Sequence, residues 1–381
     1  MSTPRILFVD DEPRVLDGVR DLLRKHRKRW DMHFCVGGDL ALETLEKESF
    51  DVVVTDLRMP RVDGVAVLRW LHERRPDTVR LVLSGDPGEA SALRVVPHAH
   101  QYLSKPARPG ELEAVLDRAC RHRERIADER VRAVIGRLHE LPALPRTYQK
   151  LVAMLEDERV GMRDIAEVVA KDIGVSAKLL QLVNSSFFGV GRTVANVGEA
   201  ITILGIEVVK NLVLSLGVFG AAKLSREVGV FAEALHGHSL VIAEVAVALA
   251  GDGERKDAYT AGLLHDAGWM VLALEMPQMV GLGQGRAKPG RPSRELEGFA
   301  LHAPIGAYLL GIWGLPLAVI DAVARHDEPL DETFGPVARA VCTAERILEE
   351  LEADPAAKDP GELRRMALER AAAVRAGQVA A

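Results

Sequence analysis

Two groups of side chains in this 381-residue sequence have types and spacing that could do chemistry. In the first, Asp10 and Asp11 follow the apolar run Ile6–Val9, Asp56 follows Val52–Thr55, Ser84 closes Leu81–Ser84, and Lys105 comes just after Gln101–Leu103. If those runs are parallel strands, the five side chains sit at their carboxyl ends and converge although they are far apart in the chain. Three carboxylates in one place repel one another unless a hard divalent cation such as Mg²⁺ neutralises them through oxygen ligands and water. A carboxylate held there can attack phosphorus, while a lysine point charge and a hydroxyl contact the phosphoryl oxygens. The chemistry is acyl-phosphate formation.

The second group consists of His238, the adjacent pair His265-Asp266, His302, and a second pair, His326-Asp327. A His-Asp pair joined by histidines from other helices can hold one or two divalent metals for phosphoester hydrolysis. The same residues can instead satisfy one another across a helical core, and spacing alone leaves both readings open.

The elements that must position these groups are of two kinds. Over roughly the first hundred residues, short apolar runs alternate with amphipathic stretches such as Val15–Leu23 and Leu40–Glu46. Met32–Val36 completes the set of runs, and turn signals stand at Gly37-Gly38, Asp63-Gly64 and Asp86-Pro87-Gly88. This alternation predicts βαβ units and a doubly wound parallel sheet of five strands with five helices. From Gly110 to about His139 the chain reads as a charge-dense helix. Between Arg118 and Arg137 seven arginines face only Glu124, Asp128 and Glu129. With no aromatic residues to stack on bases, this stretch predicts a solvated signalling helix or coiled coil rather than a nucleic-acid contact. Arg24-Lys25-His26-Arg27-Lys28-Arg29 is read as the exposed end of the first helix. After Leu141-Pro142-Ala143-Leu144-Pro145 the strand signals vanish, and an all-α domain is expected to about residue 350, followed by one loose helix and a frayed end.

The motifs of the first half, Phe8-Val9-Asp10-Asp11-Glu12-Pro13, Val53-Val54-Thr55-Asp56-Leu57-Arg58-Met59-Pro60-Arg61-Val62-Asp63-Gly64, Leu83-Ser84-Gly85 and Tyr102-Leu103-Ser104-Lys105-Pro106, resemble the receiver domain of two-component response regulators over about residues 3–122. The resemblance implies that Asp56 is the phosphoacceptor and that Asp11 and Asp56 bind Mg²⁺ directly, with help from Asp10 and the Arg58 backbone carbonyl. It implies further that Lys105 and Ser84 respond to the phosphoryl group and that Tyr102 is the switch aromatic. Pro97-His98-Ala99-His100 departs from the Gly-Ala usual before the fifth strand.

In the second half, Lys178-Leu179-Leu180-Gln181-Leu182-Val183-Asn184-Ser185, Ala200-Ile201-Thr202-Ile203-Leu204-Gly205 and Ala261-Gly262-Leu263-Leu264-His265-Asp266-Ala267-Gly268 resemble the HDOD domain, over about residues 138–350. HDOD domains share the fold of HD-superfamily phosphohydrolases but are regarded as mostly non-catalytic interaction modules. The resemblance therefore implies a vestigial site at His238, His265, Asp266, His302, His326, Asp327 and Glu345, with a bound transition metal as the minor expectation. Against the cyclic-di-GMP hydrolysing branch, Trp269 replaces a lysine, Asp327 replaces the second histidine of a His-His pair, and Glu345 falls near the usual final aspartate.

These readings predict a receiver over 1–122, a helical linker over 123–137, an HDOD domain over 138–350 and a tail over 351–381. The expected function is a response regulator whose HDOD module acts by binding another protein; the alternative is a phosphorylation-gated metal-dependent phosphohydrolase or cyclic-di-GMP phosphodiesterase. A sensor histidine kinase and a downstream signalling protein are the expected partners, with a homodimer through the receiver or linker helix as a further option. Composition narrows the rest. The net charge of −6 disfavours a cationic nucleic-acid surface, and 48% hydrophobic with 27% charged residues is ordinary for packed globular domains. Cys35, Cys120 and Cys342 have no disulfide or zinc spacing, the start meets acid after four apolar residues, and Leu212–Ala222 is too short for a membrane span. A cytoplasmic protein with neither membrane nor nucleic-acid partner is expected.

Overall fold

The computed structural model describes residues 3–85, 98–107, 110–124, 126, 129–138, 141, 144–156, 160–185, 188, 190, 192–206, 208–209, 212–213, 225–282, 296–353, 365–369, 372 and 374. The Asp86-Pro87-Gly88 turn, the fourth receiver helix expected before the last strand, Pro97, Pro142-Ala143 and most of Leu212–Ala222 lie outside them. The chain forms two compact units, one dominated by Met1–His139 and the other by the residues from Glu140 onward.

The first unit is built on a parallel sheet of β1 (Arg5–Asp10), β2 (Asp31–Val36), β3 (Val52–Thr55), β4 (Val79–Ser84) and β5 (Gln101–Ser104), in the order β2-β1-β3-β4-β5. The expected five-stranded doubly wound sheet is present, each strand within two residues of its sequence reading. β3 and β4 are buried along their whole length and β1 from Ile6 onward, as strands covered on both faces must be, whereas the edge strand β2 exposes Asp31 and Val36. Registers such as Phe8 beside both Phe34 and Val54, and Thr55 beside Val82, bring the strand ends level. Helices α1 (Pro13–Leu22), α2 (Gly38–Lys47), α3 (Gly64–Arg74) and α4 (Glu111–Glu124) surround it. Proline opens α1 with a fixed φ, and the Asp63 carboxylate caps α3 by accepting from the Ala66 N–H at 2.8 Å.

The basic run after α1 does more than end a helix. His26 stacks on buried Trp30 at 4.5 Å, Lys25 and His26 reach Glu113 at 2.8 and 3.1 Å, and Arg29 pairs with Asp117. Helix α4 is thereby fastened to the start of the domain by ion pairs.

The segment read as a linker contains α5 (Glu129–Arg137), and α5 packs within the first unit. Fully buried Arg80, on β4, donates to the Gly136 carbonyl at 2.6 Å, to His98 O at 2.7 Å, and to the carbonyls of Thr78 and Pro76. His100 Nδ1 accepts from the Arg80 N–H at 2.9 Å, so its Nε2 carries the proton and faces the same Gly136 carbonyl at 3.3 Å. Gly136 itself touches the Pro76 carbonyl so closely that an added Cβ would lie 1.7 Å from that oxygen.

Among its described residues the second unit is helical: α6 (Pro145–Glu156), α7 (Met162–Val169), α8 (Ile173–Val183), α9 (Val197–Leu204), α10 (Arg226–Leu249), α11 (Arg255–Leu264), α12 (Ala267–Glu275), α13 (Phe299–Ile312), α14 (Leu317–Arg325) and α15 (Pro336–Ala353). Asp172 opens α8 by accepting from Val175 N at 3.0 Å and from Leu144 N at 2.9 Å, so one carboxylate joins the Leu-Pro-rich segment to the buried helix. Gly205 ends α9 at φ +78°, a left-handed conformation natural only to glycine. By length and hydropathy α10 could cross a membrane, yet 61% of its most apolar stretch is buried within the structure, and it carries buried Glu244 and His236. Cys35, Cys120 and Cys342 are buried and in no disulfide, and burial raises the Cys35 thiol pKa and pushes that of Cys342 up to about 11.

Candidate functional site

The first site lies at the carboxyl edge of the sheet. Asp10 is the last residue of β1, Asp56 follows β3, Ser84 ends β4, and Lys105 follows β5. Ladder pairing sets Ser84 beside Ser104, and the Lys105 N–H donates to the Ser84 carbonyl at 2.9 Å, which fixes the lysine next to that strand. Lys105 Nζ lies 2.5 Å from Asp10 Oδ2 and 3.0 Å from Asp56 Oδ2. Burial alone would lower its pKa, but the hydrogen bonds to Asp10 and Asp56 hold the ammonium above the usual lysine value. One carboxylate oxygen from each of Asp10, Asp11 and Asp56 lies within 4.8 Å of the others. Asp10 and Asp56 are buried and Asp11 half-buried. An all-oxygen donor set of this kind fits a hard cation that keeps several waters.

The Asp56 carboxylate is oriented from its own loop, where Oδ1 accepts from the Leu57 N–H at 2.7 Å. Asp10 is oriented likewise by the Glu12 N–H at 3.0 Å. Arg58 stands two residues after Asp56 as an exposed loop residue. Tyr102 is buried and packs with Leu57, Leu68, Val82 and Ala99, where burial raises its phenol pKa. Sequence reasoning read Gly64 as part of a turn and not as a contact to the Asp56 loop. A Cβ there would sit 1.9 Å from the Asp56 carbonyl oxygen and 2.9 Å from Leu57 Cα. Gly64→Ala is therefore expected to displace the Asp56 loop at a cost of about 2 kcal/mol or more, read as a lower melting temperature and slower acyl-phosphate formation.

The second site is assembled from six helical elements of the second unit. His238 comes from the middle of α10, His265 ends α11, Asp266 opens α12, and His302 lies in the first turn of α13; His326 ends α14, with Asp327 next to it, and Glu345 projects from α15. All seven residues converge. Glu345 Oε1 lies 2.6 Å from His265 Nε2 and 2.9 Å from His238 Nε2. Asp327 Oδ2 lies 3.0 Å from His302 Nε2 and 3.4 Å from His326 Nε2. Asp266, fully buried, stands between the two sets. Burial would lower the His265 pKa, but Asp266 and Glu345 outweigh it and raise it to about 10, while the surrounding histidines hold both carboxyls well below their usual range.

Three of the rings are aimed from behind. His265 Nδ1 lies 2.6 Å from Gly262 O, His302 Nδ1 2.6 Å from Phe299 O, and His326 Nδ1 2.8 Å from Val323 O, each a carbonyl three residues earlier. A carbonyl can only accept, so each Nδ1 carries the proton and each Nε2 faces the centre. Trp269 stacks on His302 at 4.6 Å and 16°, which gives the residue standing in place of the lysine a packing role. The glycines that permit this approach were not recognised from sequence. A Cβ on Gly268 would lie 1.8 Å from the His302 carbonyl oxygen, and one on Gly262 would lie 2.6 Å from Ala243 Cα. Their only signal was glycine beside the His-Asp pair in an otherwise apolar stretch.

Comparison with known proteins matches residues 6–117 to the response regulator receiver domain and residues 141–329 to the HDOD domain. The chain belongs to the response regulators that pair a receiver with an HDOD domain. This receiver–HDOD chain is 28% identical over 202 residues to an uncharacterized protein of Treponema pallidum, covering 51% of the chain and 39% of that protein. It is 35% identical over 135 residues to the transcriptional regulatory protein TrcR of Mycobacterium tuberculosis, covering 34% of the chain and 52% of TrcR. The matches thus span from about two fifths to about half the length of these relatives. Among solved structures, the MmoQ response regulator of Methylococcus capsulatus is 26% identical, with 61% of this chain and 93% of that one covered at a TM-score of 0.47.

Proposed function

We propose that this receiver–HDOD protein is a cytoplasmic phosphorelay component in which Asp56 accepts a phosphoryl group from a sensor histidine kinase. The supporting observation is the Lys105 ammonium held between Asp10 and Asp56 beside three converging carboxylates. Asp10, Asp11 and Asp56, with the Arg58 carbonyl, would hold Mg²⁺, which when bound offsets charge on the phosphoryl oxygens. An Asp56 oxygen attacks phosphorus, the phosphorus–nitrogen bond of the phosphohistidine breaks, and its electron pair leaves with the imidazole. The acyl phosphate then draws Lys105 and Ser84 to its oxygens, and Tyr102, in the same buried cluster as Leu57, registers the change.

The output is a changed affinity of the HDOD module for a downstream signalling protein. Incubated with acetyl phosphate and Mg²⁺, the wild-type protein should gain one phosphoryl group that Asp56→Asn does not; equal incorporation by the variant would remove Asp56 as the acceptor. The phosphohydrolase alternative draws on the convergence at Asp266. Turnover of a generic phosphodiester that disappears in His265→Ala would support it.

A further inference from the structure

The donor atoms around Asp266 sort into two sets. Its Oδ2 faces His265 Nε2 at 3.2 Å and His238 Nε2 at 3.9 Å, whereas its Oδ1 faces His326 Nε2 at 3.4 Å and His302 Nε2 at 3.6 Å. Glu345 closes the first set and Asp327 the second. We infer that the HDOD module of this chain is a dinuclear metal site, in which His238, His265, Glu345 and Asp266 Oδ2 hold one divalent transition-metal ion, His302, His326, Asp327 and Asp266 Oδ1 hold a second, and the Asp266 carboxylate bridges them. The inference stands apart from the receiver reading, because none of these residues belongs to the acidic site around Asp56.

Three observations separate metal binding from mutual hydrogen bonding. The first is the proton inventory. With Nδ1–H of His302 and His326 committed to the Phe299 and Val323 carbonyls, the two Nε2 atoms face each other at 3.1 Å. Two neutral imidazoles would oppose lone pairs there and two imidazoliums would oppose N–H groups, so without a metal the pair needs a single imidazolium donating to its neutral neighbour; a metal ion takes both lone pairs with both rings neutral. Second, His265 Nε2 and both Asp266 oxygens are fully buried and make no hydrogen bond, although carboxylate and imidazole atoms surround them at close range. Buried polar atoms without hydrogen bonds are rare and point to a ligand. Third, the spacings suit coordination. At metal–ligand distances of about 2.1 Å, neighbouring donors stand about 3.0 Å apart in octahedral and about 3.4 Å apart in tetrahedral geometry. The separations within the two sets run from 2.6 to 3.9 Å around those values.

Imidazole nitrogen with carboxylate oxygen, and no thiolate, selects manganese, iron or zinc over magnesium and calcium. The replacement of a histidine by Asp327 thus preserves a donor at that position, and Glu345 does the same where an aspartate is usual.

The test is metal content of the purified full-length protein by mass spectrometry after incubation with Mn²⁺, Fe²⁺ or Zn²⁺ and gel filtration, together with the electron paramagnetic resonance of the Mn²⁺ form. Wild type is expected to retain about two ions per chain, with exchange-coupled manganese signals. Asp266→Asn should lose both ions, and Glu345→Gln and Asp327→Asn about one each, while all three variants still accept phosphoryl at Asp56 and melt cooperatively. Asp56→Asn should keep both ions. Content near zero with each metal, a single uncoupled ion, or full content in Asp266→Asn overturns the inference. Should Asp266→Asn fail to fold, the losses in Glu345→Gln and Asp327→Asn carry the test.

Discussion

Arg80→Met is expected to destabilise the receiver unit by about 3 to 5 kcal/mol and to release α5. The guanidinium is fully buried and donates to the carbonyls of Pro76, Thr78, His98 and Gly136, each contact charge-assisted. Methionine fills comparable volume but donates nothing, leaving these carbonyls to find other partners in a dry environment. Two of the contacts, at 2.6 and 2.7 Å, reach the α5 carbonyl of Gly136 and the His98 carbonyl just before β5. For a unit of this size the loss corresponds to a fall in melting temperature of about 10 °C or more. Calorimetry measures that fall, and limited trypsin digestion at Arg130, Arg132 and Arg137 measures the release of α5. Unchanged melting and unchanged cleavage would show that Arg80 is not the anchor.

Gly268→Val is expected to act as strongly on the second unit. The position is two residues after Asp266, and the hydrogen of Gly268 already rests against backbone: a Cβ would meet the His302 carbonyl carbon at 2.6 Å and Gly306 N at 2.9 Å. Backbone cannot swing aside as a side chain does, so α12 and α13 must separate. The cost of such overpacking is about 3 kcal/mol. Because His302 rides on α13, the separation also draws its ring from Asp266 Oδ1, and the second metal should be lost before the first. Gly229→Ala provides the control. It lies in α10 with open space around it, so added helix propensity should stabilise by a few tenths of a kcal/mol to about 1 kcal/mol. Similar melting of the two variants would refute the close-contact argument.

The strands were legible because each was a short, mostly apolar run, and β1, β3, β4 and β5 each lead into a charged or polar residue with a reason to be there. Asp10, Asp56 and Ser84 mark strand ends and the chemistry at once, so fold and site were read together. The connection between Arg24–Arg29 and α4 was not legible. Glu113 and Asp117 are acids on a charged helix far along the chain, and only the folded sheet brings them to Lys25, His26 and Arg29. The same reason made α5 look like a solvated linker: a buried arginine on β4 is indistinguishable in sequence from an exposed one. In the second unit the histidines could be named singly, but their convergence depends on where six helical elements cross. Which ring nitrogen faces the centre depends on carbonyls three residues back, geometry that no composition or period encodes.

The burial of Cys35, Cys120 and Cys342, with two of the thiols held above their usual pKa, has a practical bearing on measuring the signal. Thiol-reactive labels attack the thiolate, so the native chain presents almost no background to them at neutral pH. Cysteines introduced at exposed Glu46 on α2 and exposed Lys256 on α11 can therefore carry a spin-label or fluorophore pair without removal of a native residue. The distance distribution between the labels, recorded before and after acetyl phosphate, reports how far phosphorylation moves one domain against the other.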